Sequence, residues 1–290
     1  MAEFAQFVFS GITVGAIYAL VGLGFSIIYN ASRVINFAQG EFVMIGGLTT
    51  AMLVERGVPV PLAAAVAIIA AVIAGLALEK LAVEQAREAP VVTLIIITVG
   101  ASIFLRGLAQ VVFDRNYHAL AGFSGEAPIH VGGATVVPQT LWVIGTAAAL
   151  VIALWWFFGR TLLGKAILAT SYDSLAAQLV GIGTRALLSL SFGLSAALGA
   201  VGGILIAPIS LTSHDMGVML GLKGFAAAVL GGLGSGLGAV AGGLLLGLVE
   251  ALGAGYVSSS YKDAIAFVII LLVLFLRPTG LFGRRRTERV

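Results

Sequence analysis

The stretch "FVFSGITVGAIYALVGLGFSIIY", Phe7–Tyr29, carries no charge and is followed at once by "RVINFAQGEFVMIGG", Arg33–Gly47. The first run is long enough to cross a bilayer as a helix. The second places Arg33, Asn36, Gln39 and Glu41 within nine positions, around Gly40, before the chain turns apolar again. Two readings are open. The stretch is either an ordinary loop between helices with Arg33 as an interfacial anchor, or a broken helix bordering a polar path through the membrane. In the second reading Asn36, Gln39, Gly40 and Glu41 border the solute path. A helix restarting near Gln39 then aims the partial positive charge of its N-terminus at that path.

Composition supports a membrane setting. The 290 residues are 60% hydrophobic and 10% charged, with mean hydropathy +1.10; a soluble domain holds about 25% charged residues. Outside the opening run, apolar segments cover roughly 40–55, 60–79, 91–113, 139–158, 187–208, 220–234, 237–255 and 262–277. The expected class is therefore all-α and polytopic, about 8–9 transmembrane helices in one domain over 1–290. The alternating ten-residue pattern of a membrane barrel is absent. There is no cysteine, hence no disulfide framework. The start "MAEFAQFVFS" lacks a basic n-region and reads as no usual secretory leader.

Basic residues set the expected orientation. Arg33, Lys80, Arg87, Arg160, Lys165, Arg185, Arg277, Arg284, Arg285, Arg286 and Arg289 would share one face, and Arg56, Arg106, Arg115, Lys223 and Lys262 the other. The richer face is the cytoplasmic one, which puts Met1 outside and the C-terminus inside. "RRRTER" reads as a topology anchor, not as a nucleic-acid or lipid-head patch.

Chemical motifs are missing. No G-x-x-x-x-G-K-[ST], H-E-x-x-H or G-x-S-x-G occurs, so neither an enzyme nor a built-in ATPase is expected, and no cofactor or metal site. "GSGLGA", Gly234–Ala239, fits a loose dinucleotide pattern but lies between membrane helices and not in a strand–turn–helix unit. His118, His130 and His214 lack metal-ligand spacing and read as solvated loop residues. The glycine pairs Gly199–Gly203, Gly232–Gly236, Gly238–Gly242 and Gly243–Gly247 favour close helix packing. Lys223 and Glu250 fall within apolar segments, about 18 and 22 Å respectively from a turn near Ser235. They read as a structural intramembrane ion pair. No inverted repeat is legible.

The connection 159–186, "GRTLLGKAILATSYDSLAAQLVGIGTRA", contains a short amphipathic helix. Asp173 suits its N-cap and Gly181 its stop. Such a helix on the cytoplasmic face suits a membrane-surface element or a docking knob.

Taken in order, "GLGFSIIYNASRVINFAQGEFVMIGG", "GKAILATSYDSLAAQLVGI", "GLKGFAAAVLGGLGSGLGAVAGGLLLGLVE" and "LRPTGLFG" resemble the signatures of the branched-chain amino acid ABC importer permeases, over nearly the whole chain. Length and the early "VINFAQGE" resemble the shorter, LivH-like subunit. The resemblance implies a type II ABC importer permease fold in the bacterial inner membrane. It implies a second permease subunit such as a homologous sister chain, two cytoplasmic ATPase subunits and an extracytoplasmic solute-binding protein as partners. Asp173, Ala176, Ala177 and Gly181 match the loop that docks the ATPase. Ala176 and Ala177 are expected to permit close approach there. Gln39 stands where the family usually has His, so no proton-carrying role transfers to it, and the docking loop has fewer basic residues than is usual. Relatives move urea, amides and aromatic acids as well, and an ion-gradient-driven secondary transporter is the competing class.

Overall fold

The computed structural model describes residues 2–86, 89–125, 127–131 and 134–283. Met1, Arg87, Arg284, Arg285, Arg286 and Arg289, part of the orientation argument, lie outside them. Among the described residues eleven α-helices follow one another: α1 Ala2–Ser32, α2 Gln39–Glu55, α3 Val60–Leu78, α4 Val91–Phe113, α5 Pro138–Arg160, α6 Leu162–Tyr172, α7 Ser174–Leu179, α8 Thr184–Ile206, α9 Met216–Gly231, α10 Gly236–Tyr256 and α11 Lys262–Leu276. A single π-helical turn, Glu79–Val83, extends α3. A small antiparallel hairpin, β1 Ile129–Val131 and β2 Ala134–Val136, caps one face, hereafter the hairpin face. The opposite face carries α6 and α7.

Among the described residues seven helices are long and apolar enough to cross a membrane, α11 only together with the 3-10 turn Ser259–Tyr261 that precedes it, and α2 and α9 fall short at 17 and 16 residues. The inner connection differs from the sequence reading. It holds two helices, because Thr161 accepts from the Gly164 N–H and so caps α6 as well.

α1 is the central post. It is buried along most of its length and packs against α8, α9 and α10. Two of the glycine pairs serve this packing within the chain. Gly243 and Gly247 lie against Ala19 and Gly15 of α1, and Gly199 and Gly203 against Phe42, Val43 and Gly47 of α2.

The helices repeat, inverted, which corrects the sequence reading. α1 and α8 run antiparallel, with Gly24 at Ser195 and Gly202 near Ile17 and Val21. α2 packs on α8 as α9 packs on α1, and α3 packs on α8 as α10 packs on α1. Where the two halves meet, a Cβ on Gly40 would strike Gly217 O, and a Cβ on Gly217 would strike Gly40 O. Only glycine allows the two backbones so close. A repeat of this type relates halves of opposite topology.

Candidate functional site

The opening stretch lies at mid-depth. Ser195 is the central residue of α8 and Ser102 that of α4, each about 16 Å from either helix end. Gln39 exchanges two hydrogen bonds with Ser195: its Nε2 donates to the Ser195 carbonyl at 3.0 Å, and the Ser195 hydroxyl donates to its Oε1 at 2.6 Å. The Ser102 hydroxyl donates to Glu41 Oε1 at 2.7 Å. α2 therefore begins in the middle of the bundle. So does α9, since Gly217 sits against Gly40. Two helix N-termini, with their partial positive charge, face each other from opposite sides of the mid-plane.

Between α1 and α2 the chain is not helical over 33–38, and each exposed backbone group must find a partner at that depth. Arg33 adopts φ 60° and its N–H closes on Tyr29 O at 2.8 Å, ending α1. Asn36 Oδ1 accepts from the Ala38 N–H at 3.1 Å, and Thr98 Oγ1 accepts from the Phe37 N–H at 3.2 Å. Asn36, Gln39 and Glu41 are all buried. Two of their atoms remain without a hydrogen-bond partner among the described residues: Asn36 Nδ2 and Glu41 Oε2. Gln39 is committed to α8, whereas Asn36 and Glu41 keep polar capacity in reserve.

Arg106 is a correction. Its sequence position suggested the outer face, yet it lies inside α4, with Nε 3.9 Å from Glu41 Oε1. The apolar run around it continues through the arginine, because the side chain turns toward Glu41 and not toward lipid.

Lys223 and Glu250 meet. Nζ donates to Glu250 Oε1 at 2.8 Å, and both side chains are over nine-tenths buried. Two further members had no legible signal. The Tyr18 hydroxyl donates to Glu250 Oε2 at 2.8 Å, and Asp263, in the first turn of α11, pairs with Lys223. Lys223 also lies 5.5 Å from the centre of the Tyr18 ring. The network ties α1, α9, α10 and α11 together, and its Tyr18–Glu250 bond joins positions 232 residues apart.

On the α7 face, Asp173 Oδ1 accepts from the Ala176 N–H at 2.9 Å and Gly181, at φ 86°, ends the helix. Ala177 is turned into the chain's own body, while Ala176 is exposed. Leu175, Leu179 and Val180 are exposed as well. Close approach at Ala177 thus serves the permease itself, and the outward surface is leucine-rich.

On the hairpin face, His118 is also buried and not solvated as the sequence suggested. The loop after α4 folds back so that its backbone pairs with Thr212, and its ring bonds Glu55 at 2.9 Å and Asp114 at 3.3 Å. Burial works against the imidazolium, but the bonds to Glu55 and Asp114 outweigh it and hold the His118 pKa above its ordinary value.

The chain has counterparts among known proteins. Residues 7–274 match the family model described as branched-chain amino acid transport system / permease component. The chain is 34% identical to the high-affinity branched-chain amino acid transport system permease protein LivH of Escherichia coli K12, over 99% of this chain and 98% of that protein. It is 33% identical to the corresponding BraD of Pseudomonas aeruginosa, with the same coverage. A chain of PsaBC from Streptococcus pneumoniae in complex with Fab has the same fold, with TM-score 0.52, 16% identity, and 96% of this chain and 93% of that one covered. The protein is a membrane-spanning permease and not an enzyme, and it belongs to the branched-chain amino acid transport system permease family.

Proposed function

We propose that this chain is one of two permease subunits of an ATP-driven importer for branched-chain or related amino acids. A sister permease, two ATPases bound at the α7 face and a solute-binding protein at the hairpin face complete the assembly. The observation that supports the reading best is the pair of helix N-termini meeting at mid-depth beside Asn36 and Glu41. Helix N-termini at the mid-plane suit the carboxylate of a zwitterion. In this reading Asn36, Gln39, Gly40 and Glu41 border the path. Asn36 and Glu41 exchange bonds with the passing solute, and Gln39 and Gly40 hold the two halves in register. Asp173, Ala176, Ala177 and Gly181 shape the coupling helix. Lys223 and Glu250 act structurally.

Two measurements test this. Uptake of leucine into proteoliposomes holding the full assembly is expected to require ATP and the binding protein. Asn36→Leu, which keeps the size but removes the amide, is expected to slow it at least tenfold with no change in the binding protein's affinity for leucine. Normal uptake by that variant would remove Asn36 from the path. Uptake that survives ATP depletion but collapses with the ion gradient would favour a secondary transporter.

The α7 face is taken as cytoplasmic, so the bacterial inner membrane holds the chain with its N-terminus outside. The chain has no cysteine, so single introduced cysteines report cleanly. In intact cells, a cysteine at Ala2 is expected to react with an impermeant maleimide and one at Leu179 to stay unlabelled until the cells are opened. The reverse pattern would invert the topology.

A further inference from the structure

Arg106 carries a charge where hydrocarbon tolerates none cheaply. It lies one helical turn from Ser102, the centre of α4, on the hairpin side, about 6 Å from mid-depth. Its side chain is 31% exposed on a helix whose neighbouring positions, Ile103, Phe104 and Leu108, are exposed and apolar. An arginine facing lipid near the middle of a span is costly unless it is paired or wetted. Snorkelling would carry the guanidinium toward the hairpin face, where α4 ends at Phe113. Instead it is drawn back toward Glu41.

The neighbourhood is unevenly satisfied. The 3.9 Å separation from Glu41 is too long for a hydrogen bond, so the attraction is Coulombic and the guanidinium donors stay available. Arg106 Nε has no hydrogen-bond partner among the described residues. Glu41 Oε2 is buried in the same condition. Asp215, at the start of α9, also lies within the field of Arg106, and its Oδ1 already accepts from the Ser213 hydroxyl. The guanidinium thus faces a buried carboxylate with a spare acceptor where α2 begins.

We propose that the α4 face around Arg106 borders the solute path and not lipid, and that Arg106 binds the carboxylate of a zwitterionic amino acid in passage while Glu41 takes its ammonium group. This deepens the proposed function and rests on it. The planar fork of arginine matches a carboxylate through two parallel bonds, a geometry that lysine lacks. The spare Oε2 of Glu41 supplies an acceptor for the other end of the solute. A solute with only one of these charges would leave part of the cluster unpaired at mid-depth.

The test uses the assembled importer in proteoliposomes, with cysteine placed singly at Arg106 or at Phe104, whose side chain is exposed on the same helix. A positively charged methanethiosulfonate reagent, drawn by the Glu41 carboxylate that loses its cation in this variant, is expected to modify Arg106→Cys at least tenfold faster than Phe104→Cys, and leucine-loaded binding protein with ATP is expected to slow that reaction. Arg106→Gln is expected to lower leucine uptake at least tenfold, with Arg106→Lys recovering part of it, both variants co-purifying with the ATPases at wild-type yield. Equal, slow modification at the two positions, or uptake by Arg106→Gln within twofold of wild type, would overturn the assignment. The wild-type assembly separates the two proposals. If it imports leucine and the Arg106 results fail, only this inference falls. If it imports no amino acid, the proposed function falls, and the relative modification rates still decide whether the face is wet.

Discussion

Lys223→Met is expected to destabilise the permease by about 3–5 kcal/mol, the cost of removing one partner from a buried ion pair. The loss is large because the lysine answers two carboxylates, Glu250 and Asp263. Without it Glu250 keeps only the Tyr18 hydroxyl and stays charged in the interior or takes up a proton there, and both cost free energy. Asp263 can turn toward solvent, being partly exposed, which frees the start of α11. Glu250→Gln in the Lys223→Met background removes the stranded charge and keeps an acceptor for Tyr18, so it is expected to recover most of the loss. Thermal unfolding of the detergent-purified permease measures both variants. A single variant that melts with the wild type, or a double variant no better than the single one, would show that the network is not what joins α11 to α1, α9 and α10.

The second large effect lies on the α7 face. Leu175 and Leu179 are spaced i,i+4 and so share one side of α7, and both are exposed. Burying each in an ATPase groove would contribute about 1.5–3 kcal/mol. Replacing both by Glu forfeits that and adds the cost of desolvating two carboxylates. The Leu175→Glu, Leu179→Glu variant is expected to lose ATPase co-purification and at least nine-tenths of solute-stimulated ATP hydrolysis. Its unfolding temperature should stay at the wild-type value, since neither side chain supports the permease core. Ala177 is a poor probe of docking for the opposite reason. It is turned inward, so a bulky residue there would disturb the chain's own packing first. Full co-purification of the double variant would place the docking surface elsewhere.

The local features were legible because their causes are local. Uncharged runs such as 7–29 specify membrane helices through hydropathy alone, and Asp173 and Gly181 mark the ends of α7 through capping and a left-handed turn. The clustering of Asn36, Gln39, Gly40 and Glu41 after a charge-free span signalled an unusual segment, and Lys223 and Glu250 were visible as charges within apolar runs. What the segment does was beyond the sequence, because "loop" and "broken helix" share the same letters and differ only in depth.

Depth came from partners. Gln39 is placed by Ser195 and Glu41 by Ser102, each the central residue of its helix. The inverted repeat was equally hidden. Membrane helices draw on one small apolar alphabet, so two halves can share a fold with little shared pattern, and only the packing of α2 and α3 on α8, as α9 and α10 pack on α1, exposes the repeat. Tyr18 and Asp263 gave no sign of joining Lys223 and Glu250, since hydropathy carries no information about which helices are neighbours. Arg106 was misplaced for a related reason. Charge near the end of an apolar run reads as an interface anchor, and only the position of Glu41 shows that the guanidinium turns inward. The residues alone determined that the chain lives in a membrane and where its helices lie. Tertiary packing decided which polar atoms meet at the middle of it, because a buried charge is placed by the partner that compensates it.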